Sequence, residues 1–195
     1  MKLSDRRDLR SLFFIVIHFC LLIFGMMTPP GWQTALLIPS LIFSTYICLN
    51  INHNQMHLGM FEGATANIVL NVVLSIATGV PVTTIYVPHL INHHPNPNNE
   101  KDWMGAHVVG NRTGLWRILY YTFKAQVVQM KLRPRSFFAG LPDERRTSLV
   151  CEIFGLFIFA LVGMLWNPVA FVVHAMVPWM LGSNILVFIN FFLHD

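Results

Sequence analysis

The sequence predicts an all-α integral membrane protein with four transmembrane helices arranged as two hairpins. Hydrophobic residues make up 54% of the chain and charged residues only 11%, whereas a soluble domain carries about 25% charged residues. Several apolar runs approach the roughly 20 residues that a helix needs to cross a bilayer. The short turns between paired runs contain no Lys or Arg, as expected for tight hairpins whose turns face away from the cytoplasm.

Four runs have the length and composition of membrane spans, and they cover residues 11–28, 32–51, 148–166 and 169–193. Pro29-Pro30-Gly31 separates the first pair and Asn167-Pro168 the second, since Pro and Gly end helices. Pro178 and Gly182 are expected to interrupt the last run. No small-residue cleavage site follows the first run, so we expect it to be retained as a helix.

The run from 64 to 87 is apolar but contains Asn67, Asn71, Gly79 and Pro81. All 13 Lys and Arg residues lie either in the first ten residues or between 101 and 146. Because Lys and Arg concentrate in cytoplasmic loops, both regions are predicted to be cytoplasmic. The run must then cross the membrane an even number of times. It is too short for two spans, so a re-entrant or interfacial segment is predicted. An amphipathic helix is predicted near 115–131.

Two histidine boxes follow apolar runs. The first box is the segment 52–57 and the second is the segment 88–95. Histidines spaced i, i+4 on a helix share one face, and neutral imidazole is the commonest ligand for first-row transition metals. The predicted topology brings six histidines to the cytoplasmic face: His53, His57, His89, His93, His94 and His194. The pattern therefore predicts a metal site at the membrane edge.

The side chains near the boxes restrict the type of metal site. Cys20, Cys48 and Cys151 lie away from the boxes in apolar segments, which disfavours structural zinc and iron–sulfur clusters. More than five histidines exceed the need of one four-coordinate ion, so two metal ions fit better. Glu62 and Asp102 are predicted to accept hydrogen bonds from the outer N–H groups of ligand imidazoles.

The motifs His53-x-x-x-His57, His89-x-x-x-His93-His94 and Asn190-x-x-x-His194 resemble those of the integral-membrane fatty acid desaturase and hydroxylase superfamily. The resemblance covers essentially the whole chain. It implies a di-iron centre, O₂ as co-substrate and removal of two hydrogens from the acyl chain of a lipid or thioester. It also implies that the six histidines bind iron, that Asn190 contacts the metal through water, and that no catalytic residue exists beyond these ligands.

One departure from the family pattern concerns a final HxxHH box, which is expected some tens of residues after the last helix. The sequence ends at Asp195. We therefore expect residues 1–195 to be a single desaturase-like membrane domain that lacks this box. Such a chain is expected to be a C-terminally incomplete fragment, inactive on its own.

The sequence carries no haem, flavin or nucleotide motif, so electrons are expected from a separate protein of the ferredoxin or cytochrome b5 type. A basic cytoplasmic surface that includes Arg133, Arg135, Arg145 and Arg146 could receive an acidic donor. The same charge also suits the positive-inside rule and lipid headgroups. Membrane lipid and the acyl substrate are the other predicted partners, and no nucleic acid is expected.

Two other interpretations stay open. A hydroxylase or ketolase of the same superfamily, acting on alkanes, sterols or carotenoids, shares the histidine boxes. A membrane metal-binding or transport protein would instead place its histidines along a path at the bilayer midplane. Glu152, at the start of a span, is expected to reach the cytoplasmic interface and needs no special role. His18 and His174 are expected to be buried and bonded to neighbouring helices.

Overall fold

The computed structural model describes residues 2–28, 31–97, 99–103, 105, 109–110, 114–131 and 141–194, except the side chains of 125, 126, 128–131 and 192–194. Within these ranges the chain forms helices and turns, and no β-strand occurs. One isolated antiparallel bridge joins Leu3 and Phe61. The all-α prediction is therefore confirmed. The basic stretch at 133–135 lies outside the described residues.

The helices are α1 (Asp8–Met27), α2 (Thr34–His57), α3 (Ala64–Thr78), α4 (Gly114–Lys131), α5 (Asp143–Trp166), α6 (Pro168–Phe171) and α7 (Val177–His194), with a 3₁₀ turn at Val82–Ile85 and π-helices at Val87–His93 and Val172–Met176. Among the described residues, four stretches are long and apolar enough to cross a membrane: α1, α2, α5 and the continuous run from α6 into α7. The two predicted hairpins and the predicted amphipathic helix, α4, are present.

The distribution of polar and apolar side chains reverses that of a soluble protein. Phe13 on α1 and Phe157 on α5 are 61% and 59% exposed. In contrast, His18 on α1 is buried, and its Nδ1 lies 2.9 Å from Ser44 Oγ on α2. A protein surrounded by lipid places apolar side chains on its surface. Its polar side chains lie inside, where they form hydrogen bonds with neighbouring helices. The described helices are those of a multi-pass membrane protein.

Small residues let the helices approach one another closely. A Cβ built on Gly155 of α5 would lie 2.5 Å from Val72 of α3, and one built on Gly182 of α7 would lie 2.8 Å from Thr45 of α2. Both positions therefore need glycine for these contacts. Such small-residue contacts are typical of membrane helix pairs. They pack α5 against α3 and α7 against α2.

The last span does not break at Pro178 or at Gly182, contrary to the sequence expectation. A proline in a helix removes a hydrogen bond and its ring clashes with the carbonyl four residues earlier, here that of His174. The π-helix Val172–Met176 lies around that carbonyl. The wider π turn accommodates the proline, so the helix continues through it. At the start of the span, Asn167 Oδ1 caps α6 by accepting the Ala170 N–H at 3.0 Å.

The segment predicted to be re-entrant or interfacial is a bent helix pair. The axis of α3 and that of the following 3₁₀ turn and π-helix meet at 86°. The bend occurs at Gly79, whose φ of +72° is accessible to glycine at low cost, followed by Pro81. This bend turns residues 82–93 away from the direction of α3. The second histidine box lies at the end of this segment, outside the four membrane-length stretches.

Candidate metal centre

The first histidine box lies in the last turns of α2. The helix extends to His57 and so includes the whole box, whereas the sequence pattern ended this span at residue 51. His53 and His57 share one face at the i, i+4 spacing, with ring centroids 4.8 Å apart. The side chain of His57 is exposed. The long helix therefore presents two imidazoles at its C-terminal end.

The second histidine box lies on the π-helix Val87–His93. The backbone N–H of His94 donates to the His89 carbonyl at 3.0 Å, a bond that spans five residues. Because a π-helix closes each turn over one residue more than an α-helix, residues five apart come onto the same face. The π-helix thus brings His94 beside His89. In an α-helix, residues five apart lie on different faces, and the two rings would point apart. The π geometry explains how a spacing of i, i+4, i+5 serves one site.

Four Nε2 atoms from the two boxes converge. His89 Nε2 lies 2.7 Å from that of His53, 3.2 Å from that of His57 and 3.1 Å from that of His94. His53 Nε2 and His57 Nε2 are also 3.2 Å apart. Ligand atoms of His53, His57 and His89 all lie within 4.8 Å of one another. His89 is the centre of this cluster, because its Nε2 contacts the other three.

The cluster has the chemistry of a metal site. A ring nitrogen of a neutral imidazole carries either one proton or one lone pair, so His89 Nε2 can form one hydrogen bond but not three with the Nε2 atoms of His53, His57 and His94. A cation relieves this conflict by accepting the lone pairs. Nitrogen ligands about 2.1 Å from one ion lie about 3.0–3.4 Å apart, and most of the observed separations are close to that range. The residues present therefore fit a transition-metal ion.

Electrostatics favours the metal-binding form of His89. This side chain is half-buried, and the loss of solvent, together with the neighbouring imidazoles of both boxes, lowers its pKa to about 3. Its imidazole is consequently neutral at physiological pH. Neutral imidazole is the form whose nitrogen lone pair binds a metal.

His93 makes a different contact from the other box histidines. Its ring stacks 5.5 Å from that of His89, and its Nδ1 lies 2.8 Å from Asp102 Oδ2, with both side chains buried. Asn92 fixes the same loop, because its side chain donates to the Lys101 carbonyl at 2.9 Å and accepts from Trp103 N–H at 2.7 Å. A carboxylate on the outer nitrogen of an imidazole orients the ring. The role of Asp102 toward a metal stays a prediction.

Among the described side chains, Glu62 and Asn190 make no contact with the cluster. Glu62 forms a surface salt bridge with Lys2 at 2.7 Å, so its predicted bond to a ligand histidine is not among the described contacts. Asn190 is half-buried on α7 beside Phe191, whose ring packs 5.0 Å from Tyr121 of α4. The helix ends at His194, and the side chain of that residue lies outside the described part. The roles of these three residues stay predictions.

The prediction that Glu152 reaches the interface is wrong. Its side chain is 0% exposed and accepts hydrogen bonds from Ser148 and Thr83. The sequence signal was present, since an acidic residue inside an apolar span is costly unless it is paired. Ser148 lies on the same helix, but Thr83 lies 69 residues away in the chain, and the pattern of a single span does not reveal such a partner. Arg145 is also engaged within the fold, with its guanidinium 5.0 Å from the centre of the Tyr86 ring.

The fold and the cluster together define a class, namely a multi-pass helical membrane protein with a histidine site that can hold a metal. The sequence profile of the family described as fatty acid desaturase matches residues 30–195. No curated protein and no solved structure matches the chain. Because the profile covers well over half of the chain, this protein belongs to the fatty acid desaturase family. The resemblance to the fatty acid desaturase and hydroxylase superfamily is thereby confirmed.

Proposed function

We propose that the protein is a membrane oxidoreductase that uses O₂ and a histidine-bound di-iron centre to introduce a double bond into an acyl-lipid or acyl-thioester. The observation that carries this proposal is the convergence of four Nε2 atoms from two boxes in a chain of the desaturase family. The donor set supports iron over structural zinc, because it consists of imidazoles without thiolates.

We propose His53, His57, His89 and His94 as metal ligands through Nε2, with His93, His194 and water-linked Asn190 completing the predicted set. Iron bound there would supply the O₂ activation needed to remove hydrogen from an unactivated C–H bond. The contribution of the chain is positional. The end of α2 holds two imidazoles, the π-helix holds the others, and Asp102 fixes the ring of His93.

We further propose that the N-terminus and both boxes face the cytoplasm and that a ferredoxin or cytochrome b5 type protein donates electrons there. The support is the distribution of Lys and Arg, all of which lie in the first ten residues or between 101 and 146. Arg145 is half-buried against Tyr86, so the exposed Arg146, together with Arg133 and Arg135 of the sequence prediction, would make up the surface for an acidic donor.

The decisive experiment is fatty acid analysis in a host that lacks the activity. The reading frame is expressed as it occurs in the source DNA, and the lipids are analysed by gas chromatography and mass spectrometry. We expect a new double bond. An added oxygen would instead identify the hydroxylase or ketolase alternative, and metal uptake without lipid modification would identify a transporter. The expected third box is tested by reading the same DNA beyond codon 195.

Replacing Asp102 with Asn is expected to weaken metal binding about 10- to 100-fold. The change preserves the shape of the side chain but removes the charge that orients His93 at 2.8 Å. The measurement is a Co²⁺ titration of the purified protein, followed by its visible absorption. Glu62→Gln tests the other predicted carboxylate, and a smaller effect is expected because Glu62 pairs with Lys2. Equal affinities for wild type and Asp102→Asn would refute the role of Asp102.

A further inference from the structure

A chain of buried hydrogen bonds leads from the first histidine box into the bundle. It starts at Gln55, which lies between His53 and His57 on α2. Gln55 Nε2 donates to Asn71 Oδ1 at 3.1 Å, and Asn71 Nδ2 donates to Ser148 Oγ at 2.9 Å. Ser148 Oγ then donates to Glu152 Oε1 at 2.6 Å. These contacts connect α2 through α3 to α5, and none of the four side chains is more than 3% exposed.

The same carboxylate binds the segment that carries the second box. Thr83 donates its hydroxyl to Glu152 Oε1 at 2.6 Å and its backbone N–H to Oε2 at 2.8 Å. Ser75 Oγ accepts the neighbouring N–H of Val82 at 3.1 Å. The first N–H groups of a helical turn have no partner within the turn. Side chains of α3 and α5 therefore cap the 3₁₀ turn that leads into the π-helix.

A second contact from α5 also reaches both boxes. Arg145 donates to the carbonyl of Met56, the residue before His57, at 3.3 Å. Its guanidinium lies 5.0 Å from the centre of the Tyr86 ring, directly before the π-helix. Arg145 and Glu152 are seven residues apart on α5 and so lie on one helix face. This face of α5 therefore contacts both histidine segments.

The burial of Glu152 costs free energy, and we therefore ask what its hydrogen bonds contribute to the structure. Burying a carboxylate among membrane helices is unfavourable unless every acceptor site is used, and hydrophobic packing alone could join α3 to α5. The bonds are directional, so they specify where the 3₁₀ turn sits relative to α2. Thr83 precedes His89 by six residues of continuous helical backbone. A displacement at Thr83 is thus transmitted to the second box.

We propose that Glu152 is a positioning residue that sets the separation of the two histidine boxes. Glu152 does so by accepting hydrogen bonds from two directions. Thr83 donates to it from the segment that carries the second box, and Ser148 donates to it as the last member of the hydrogen-bond chain that begins at Gln55. The consequence for metal binding rests on the function proposed above. The positional role itself does not.

The test compares Glu152→Gln and Thr83→Val with the matched control Thr78→Val. Thr78 is an equally buried threonine near the same turn, but its hydroxyl bonds only to the Leu74 and Val80 carbonyls. Hydrogen–deuterium exchange is measured on the full chain in detergent. We expect Glu152→Gln and Thr83→Val to accelerate exchange about tenfold within residues 82–93. Exchange in α1 and α2 should not change, and Thr78→Val should leave residues 82–93 unaffected.

A merely structural role would give a different pattern. It would raise exchange uniformly across α3, α5 and the second box, and Thr78→Val would resemble Thr83→Val. Either of these results, or unchanged exchange at 82–93, overturns the proposal. Because Thr83→Val keeps the backbone N–H bond to Glu152, it serves as the milder variant should Glu152→Gln fail to fold.

Metal binding supplies the second readout. The increase in melting temperature on adding Co²⁺ is expected to fall by at least half in Thr83→Val and to persist in Thr78→Val, since a ligand stabilises according to its affinity for the folded state. If wild type binds no Co²⁺ but the exchange pattern appears, the proposed metal function fails and the positioning role stands. If Co²⁺ binds normally in all variants and the exchange pattern is absent, the positioning role fails alone.

Discussion

Replacing His89 with Ala is expected to reduce tightly bound metal to less than about a tenth of the wild-type content. His89 Nε2 contacts the Nε2 atoms of three other histidines, so its removal takes away the central ligand of the cluster. Loss of a residue that merely orients a ligand already costs about 10- to 100-fold in affinity, and loss of the ligand itself should exceed this. Metal per chain is measured by mass spectrometry on protein purified in detergent.

The matched control for His89→Ala is Asn54→Ala. Asn54 lies on α2 between His53 and His57 and is an exposed polar residue outside the cluster. We expect the metal content and the melting temperature of the Asn54→Ala protein to equal those of wild type. If His89→Ala retained the full metal content, the metal would have to bind elsewhere, and the cluster would lose its proposed role.

The substitution Gly79→Ala should have the largest effect on stability among conservative changes. Its φ of +72° costs an L-residue about 1–2 kcal/mol. In addition, a Cβ at this position would lie 2.5 Å from the Trp179 ring of α7, and such overpacking costs about 1–3 kcal/mol. The sum is about 2–5 kcal/mol, which corresponds to a decrease of roughly 4–20 °C in the melting temperature of a chain of this size.

Two other glycines separate the two contributions. Gly114 also has a positive φ, +59°, but no described atom lies within 4 Å of the point that a Cβ would occupy there, so Gly114→Ala should show the backbone strain alone. Gly63 has neither feature, and its replacement should cost less than about 1 kcal/mol. If the Gly79→Ala and Gly114→Ala proteins had the same melting temperature, the contact with Trp179 would not contribute to the loss of stability.

The transmembrane architecture could be predicted because it depends on properties local to the sequence. Apolar runs of sufficient length must form helices in lipid, since no water is present to satisfy the backbone. The two boxes were recognised because histidines spaced i, i+4 can be read from either segment alone. The break near Gly79 and Pro81 follows from the freedom of glycine to adopt a positive φ and from the fixed φ and missing N–H of proline.

The π-helix and the buried carboxylate could not be predicted in the same way. An α-helical interpretation of the second box places His94 away from His89, and only the hydrogen bond from His94 N–H to the His89 carbonyl reveals the wider turn. Likewise, the environment of Glu152 depends on Thr83, 69 residues away in the chain. Such contacts are set by packing between helices, which the pattern of a single segment does not contain.

The short distance along the chain between the two boxes has a consequence for biogenesis. His53 and His89 are separated by 36 residues, and both belong to the first half of the sequence. During synthesis these ligands emerge before α5 and the last span exist. Closing a loop of this size costs about 3 kcal/mol of chain entropy, which packing of the first three helices must offset, but the four-imidazole cluster contains no residue of the later helices and can therefore assemble early. When α5 is synthesised later, Glu152 and Arg145 bind the two histidine segments and fix their relative position, which the earlier part of the chain has already nearly reached.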